Sequence, residues 1–162
     1  MYFINDENLK HNYAIKENNS KNNLINKLKQ KDLTRVEMKN YFCQIVDAID
    51  YIHHMGLIHG NLCPQNISID ENNNVKLCNF NCNISQAPNS LSSYHFLAPE
   101  ICKGLSFKGN QSDIWSLGVV LYFLNYKMLP FVGSVSFDLI NNILNKKFKL
   151  LDLIFLKELI HF

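Results

Sequence analysis

The side chains able to do nucleophilic or metal chemistry are few in this sequence, and most of them stand alone. Five cysteines, Cys43, Cys63, Cys78, Cys82 and Cys102, form no C-x-x-C pair. The nearest approach to a metal motif, Cys78-x-x-x-Cys82, has no histidine or further cysteine beside it, so the thiols read as reduced rather than zinc-bound. His53-His54 falls at the end of a helical pattern, where a cationic side chain suits the negative end of the helix dipole. Cys63 lies in a polar stretch and reads as a buried or idle thiol. Arg35 is the only arginine, which leaves little for bidentate recognition of phosphate or carboxylate. Three polar features remain: a run from His59 to Asn66, a second at Asn79-Phe80-Asn81, and Asp113 at the head of an apolar segment. An asparagine amide holds a hydrogen bond but cannot act as a carboxylate base.

The elements that must position these residues are legible from pattern. Thr34-Arg35-Val36-Glu37 is a capping box, and behind it Met38, Tyr41, Phe42, Ile45, Ile49 and Ile52 recur at helical spacing. The helix is expected to end near His54, with Gly56 as its stop. Ile67 and Ile69 alternate with Ser68 and Asp70, and Val75 and Leu77 alternate beyond Glu71-Asn72-Asn73-Asn74, which predicts a β-hairpin with an Asn-built turn. The next twenty residues or so read as a long loop. Ser112 or Asp113 then opens a nearly all-apolar helix to about Tyr126, buried on all sides, and Pro130 ends that region. Phe137, Ile140, Ile143 and Leu144 predict another helix, and a short one is expected around Leu24-Ile25 and Leu28. With 162 residues, 47% of them hydrophobic and 19% charged, the chain reads as one globular domain. A net charge of +2 gives no argument for nucleic acid. Met1 to Lys10 has no signal-peptide pattern, and Ile114 to Leu124 is short of the roughly 20 residues a membrane span needs, so a cytoplasmic protein is expected.

Taken in order, the motifs resemble the protein kinase family. His59-Gly60-Asn61-Leu62-Cys63-Pro64-Gln65-Asn66 is similar to the catalytic loop H-R-D-L-K-P-E-N, and Asn79-Phe80-Asn81 stands where the family places D-F-G. Ala98-Pro99-Glu100 matches the A-P-E that closes the activation segment, and Asp113-Ile114-Trp115-Ser116-Leu117-Gly118 matches D-x-W-S-x-G. The resemblance implies a mainly α (α+β) fold, the kinase C-terminal lobe, with helices around a central buried helix and a small β-hairpin. It implies one partial kinase-like domain over 1–162, hinge and C-lobe, with the catalytic-loop region at 59–66 and the activation segment at 79–100. The glycine-rich loop, strand lysine and paired glutamate have no counterpart here, so the N-lobe is expected to be absent.

By the same resemblance, Asn61 stands at the catalytic base, Cys63 at the neighbouring lysine, and Asn79 at the metal-binding aspartate; Asn66, the second metal ligand, is kept. Ser68 and Cys78 fall at the nucleotide pocket, and Gly60 replaces an arginine that reads phosphate on the activation segment. The structural positions His59, Phe80, Glu100 and Asp113 are kept, although Glu100 lacks its downstream arginine. Hard cations prefer anionic oxygens, so Mg²⁺-ATP follows from resemblance alone and no cofactor is expected. The expectation is a catalytically inactive pseudokinase serving as a binding or scaffold module; the alternatives are a Ser/Thr kinase fragment with residual activity or a truncated product without function. Ser85, Ser90, Ser92 and Ser93 are candidate phosphoacceptors with no arginine clamp. A protein partner or a second copy is expected on exposed lobe faces, near Phe80 and near Phe155, Leu156, Leu159 and Ile160, with no nucleic acid and no membrane.

Overall fold

A capping box at Thr34 opens the longest helix among the described residues of this computed structural model, which describes residues 14–15, 22–80, 91–104 and 109–145. Thr34 Oγ1 accepts the Glu37 N–H at 3.2 Å and Glu37 Oε2 accepts the Thr34 N–H at 2.9 Å, satisfying two donors that the helix itself leaves unpaired. This helix, α2 (Arg35–His54), follows the short α1 (Leu24–Gln30), which Asn23 caps. It buries Met38, Tyr41, Phe42, Ile45, Ala48, Ile49 and Ile52. It ends in a Schellman turn: Leu57 N–H reaches Ile52 C=O at 2.9 Å and Gly56 N–H reaches His53 C=O at 3.0 Å, with Gly56 at φ +71°. The chain therefore leaves α2 sharply and enters the loop that carries His59.

That loop leads into a hairpin of β2 (Ile67–Ile69) and β3 (Val75–Cys78), paired antiparallel with Ile67 opposite Leu77 and Ile69 opposite Val75. The turn is governed by Asp70 more than by its asparagines. Asp70 Oδ1 accepts the Asn72 N–H at 2.9 Å and the Asn74 N–H at 2.8 Å. Burial opposes the charge on Asp70, but these bonds and Lys76 outweigh it and hold the carboxyl below its ordinary value. Asn73, at φ +62°, docks the turn onto α2 and α1: its Oδ1 accepts from Tyr41 Oη and Lys27 Nζ, each at 2.8 Å.

The hairpin is not the whole sheet. A two-residue strand, β1 (Ala14–Ile15), pairs parallel with β3, giving the order β1-β3-β2. On the other side Asn23 bridges Ser68, so β2 is buried at every position instead of alternating. Two residues are too few to show a period, which is why no local pattern announces β1.

Residues 91–96 form a 3₁₀ segment and α3 (Pro99–Cys102) begins with proline at its first turn, so part of the expected long loop is regular. The apolar helix, α4 (Gly109–Tyr126), starts earlier than its pattern suggests, which places Asp113 inside the helix and not at its cap. A Cβ at Gly109 would come within 1.9 Å of Ile58 Cδ1, so any larger residue there has to displace the Ile58 side chain. α4 packs centrally against α2 and the 3₁₀ segment, burying Leu117, Val119, Val120 and Leu124, while Ile114 stays 55% exposed. The helix thus keeps one open strip. A smaller cluster joins Phe131 with Leu139 and Ile143 of α5 (Ser136–Asn145), under Trp115 stacked on Phe131 at 5.8 Å. Phe137, part of the apolar pattern that predicts α5, is 77% exposed. The expectations for Cys82, Ser85, Ser90 and the segment Leu150 to Phe162 fall outside the described residues, as do the side chains of Ser92 and Ser93. No described helix is long and apolar enough to cross a membrane.

Asp70→Ala leaves two turn amides without their acceptor and is expected to cost about 1–3 kcal/mol in urea unfolding. Glu71→Ala, beside it and exposed, is expected to stay within about 0.5 kcal/mol.

Candidate active site

The site is organised by one carboxylate. Asp113 is 1% exposed, and its oxygens accept the N–H of His59 at 2.8 Å and of Gly60 at 2.9 Å, with His53 Nε2 on Oδ2 at 2.9 Å. A buried carboxylate demands partners of this kind, so the loop backbone is pinned to α4 and to the last turn of α2. Gly60 at φ +68° makes the tight corner that lets two successive amides point at one acid. His53 does more than suit the helix dipole. Its partner lies sixty residues away, beyond the reach of local pattern.

His59 is fully buried and stacked on Phe80, ring centroids 4.6 Å apart at 28°. Nδ1 accepts the Asn61 N–H at 3.2 Å, which leaves the ring proton on Nε2. Burial pushes the ring down to about 4, against the pull of Asp113 and the Cys78 carbonyl; no acceptor meets Nε2 at hydrogen-bonding geometry. The ring is a neutral packing element.

Three asparagines close a cycle beside it. Asn61 Nδ2 donates to the Asn79 carbonyl at 3.3 Å, Asn79 Nδ2 to Asn66 Oδ1 at 2.9 Å, and Asn66 Nδ2 to the Asn61 carbonyl at 2.8 Å. The amide directions follow from the partners. A carbonyl only accepts, so Asn66 must turn its nitrogen to Asn61 and its oxygen to Asn79, which answers with nitrogen. Asn79 holds φ +58°, a conformation asparagine tolerates better than most residues.

The other expected site residues are placed differently. Cys63 and Cys78 are each 1% exposed, and burial raises the Cys78 thiol. Ser68 is 8% exposed within the sheet. Glu100 stands in the first turn of α3, which packs on α5, and takes no part in the amide cycle. The motifs single out Asn61, Asn66 and Asn79 one by one, but nothing in their spacing announces that they bond to each other. Among the described residues no three His, Cys, Asp or Glu side chains gather in a way that could hold a metal ion. At the two positions that the resemblance gives to metal ligands, Asn66 and Asn79, no carboxylate is present, and Asn66 Oδ1 already accepts an N–H, a poor donor set for Mg²⁺.

Residues 2–160 match the family described as the protein kinase domain. The chain belongs to the protein kinase family. It is 34% identical over 119 residues to sperm motility kinase Z of Mus musculus, covering 70% of this chain and 24% of that protein. It is 38% identical over 118 residues to the probable serine/threonine-protein kinase KIN1 homolog of Enterocytozoon bieneusi, covering 70% of this chain and 20% of that protein. It is 33% identical over 129 residues to CBL-interacting protein kinase 15 of Oryza sativa, covering 75% and 30%. The chain thus spans less than a third of the length of these kinases.

The histidine of this kinase-family loop gives a pH dependence. Its ordinary value is 6.5 and its folded value about 4, so between them the unfolded chain binds a proton that the folded one does not. The stability it contributes is complete above the higher value and falls on acidification, by up to about 1.4 kcal/mol per pH unit inside the window. Urea unfolding across that window is expected to show this slope, and His59→Phe, which keeps a stacking ring, to flatten it.

Proposed function

We propose that this kinase-family domain transfers no phosphate and acts by binding a protein partner. The observation that carries the reading is the amide cycle. Positions where the family pattern asks for two aspartates hold Asn61 and Asn79, whose amide nitrogens donate to the Asn79 carbonyl and to Asn66. Phosphoryl transfer needs positioned negative oxygens for the metal and a carboxylate toward the attacking hydroxyl; a neutral amide supplies neither. Loss of a general base alone costs about 10²–10⁴ in rate. Cys63 adds to this, since a buried thiol cannot neutralise a transferring phosphoryl group as the expected lysine would. The framework around the cycle is intact: Asp113 grips the loop and His59 stacks on Phe80. A fold kept without its charges suits recognition, and the exposed Val132, Val135 and Phe137 support a protein surface as its counterpart. A cytoplasmic setting fits this reading.

The chain incubated with Mg²⁺ and radiolabelled ATP is expected to label generic peptide substrates no more than a control without it. Nucleotide is expected to bind with Kd weaker than about 1 mM, which limits stabilisation at millimolar ligand to below about 0.4 kcal/mol. Label transfer above the control, or a Mg²⁺-dependent melting shift of several degrees, contradicts the reading.

A further inference from the structure

We propose that the Asn61–Asn66–Asn79 cycle is a latch that takes the structural place of a bound cation, keeping Asn79 left-handed and Phe80 on His59 with no metal required. The cycle ties together three separate pieces of chain: the loop after α2, the 3₁₀ turn that precedes β2, and the residue that follows β3. Two of its three acceptors are main-chain carbonyls, of Asn61 and Asn79, so each of those bonds fixes backbone as well as side chain. Asn79 needs such fixing, because it is exposed and at φ +58°, where burial does not hold it. Phe80 follows directly, half-buried, and its ring is the lid over a fully buried histidine. If Asn79 moves, Phe80 moves and His59 is uncovered.

The chemistry of the cycle says why amides suit it. Each amide nitrogen in it donates to an oxygen of the cycle, and no net charge is enclosed. A carboxylate at position 79 would instead set a charged acceptor against Asn66 Oδ1, a repulsion that a cation or a proton between the oxygens relieves. The asparagines make this corner with neutral amide bonds instead. The latch rests on the same cycle as the proposed lack of phosphotransfer, but it is read from stability and exchange, so either can fail while the other holds.

Three measurements on the full chain test it. Adding millimolar Mg²⁺ or Mn²⁺ to the unmodified chain is expected to leave its melting midpoint unchanged; a rise with either ion overturns the proposal. Asn79→Gly keeps the left-handed backbone but removes the amide. The backbone N–H groups of residues 79 and 80 are then expected to exchange with solvent about five-fold faster, the opening that follows loss of one net hydrogen bond. If position 79 is merely a left-handed joint, Asn79→Gly leaves exchange unchanged or slows it, and the latch is refuted. Asn79→Asp is expected to lower the midpoint in EDTA and to regain it with Mn²⁺, with the unmodified chain in the same two buffers as the reference. Equal midpoints for variant and parent in EDTA contradict the proposal.

Discussion

A buried carboxylate that cannot be left unpaired sets the geometry of this domain. Asp113 sits inside α4, almost wholly out of water, and takes the amides of His59 and Gly60 together with the ring of His53. Removing one of those donors leaves a buried acceptor short of a partner, at a cost of about 1–3 kcal/mol. The end of α2, the corner at Gly60 and the helix α4 are therefore locked to one another. Once the corner is fixed, His59 falls beneath Phe80, Asn61 falls beside Asn79, and the hairpin closes over the space between α2 and the loop.

That anchor contrasts with the site beside it. The partners of Asp113 are built into the fold itself. The three positions beside it hold neutral asparagines bonded to one another. Facing carboxylates without a cation would repel and raise one another's affinity for protons. The asparagine cycle encloses no such charges. Architecture rests here on the buried carboxylate of Asp113, while the site beside it is built from neutral amides.

What can be foreseen from the sequence divides by range. The Thr34–Glu37 box, the stop at Gly56 and the stretch from Met38 to Ile52 are written within one helix, and local pattern reads them well. The hairpin is legible too, but Asp70 as its keystone hides behind the asparagines that tolerate positive φ. The strand Ala14–Ile15 and the burial of Ser68 depend on neighbours far along the chain. The individual asparagines stand out because the family pattern expects acids at two of the three positions. Their closure into a ring, and the pairing of His53 with Asp113, join residues too far apart in the chain for any local pattern to record. Hydrophobicity also overstates the burial of α4, since composition cannot say that Ile114 faces outward.

Amide exchange at His59 and Gly60 tests the anchor most directly. These two N–H groups belong to no helix or strand, and their acceptor is a side chain. Followed by NMR at low urea, they are expected to exchange as slowly as the buried amides of α2 and α4, through global unfolding alone. Exchange orders of magnitude faster than those helices, at the pace of an open loop, would mean that Asp113 does not hold the site.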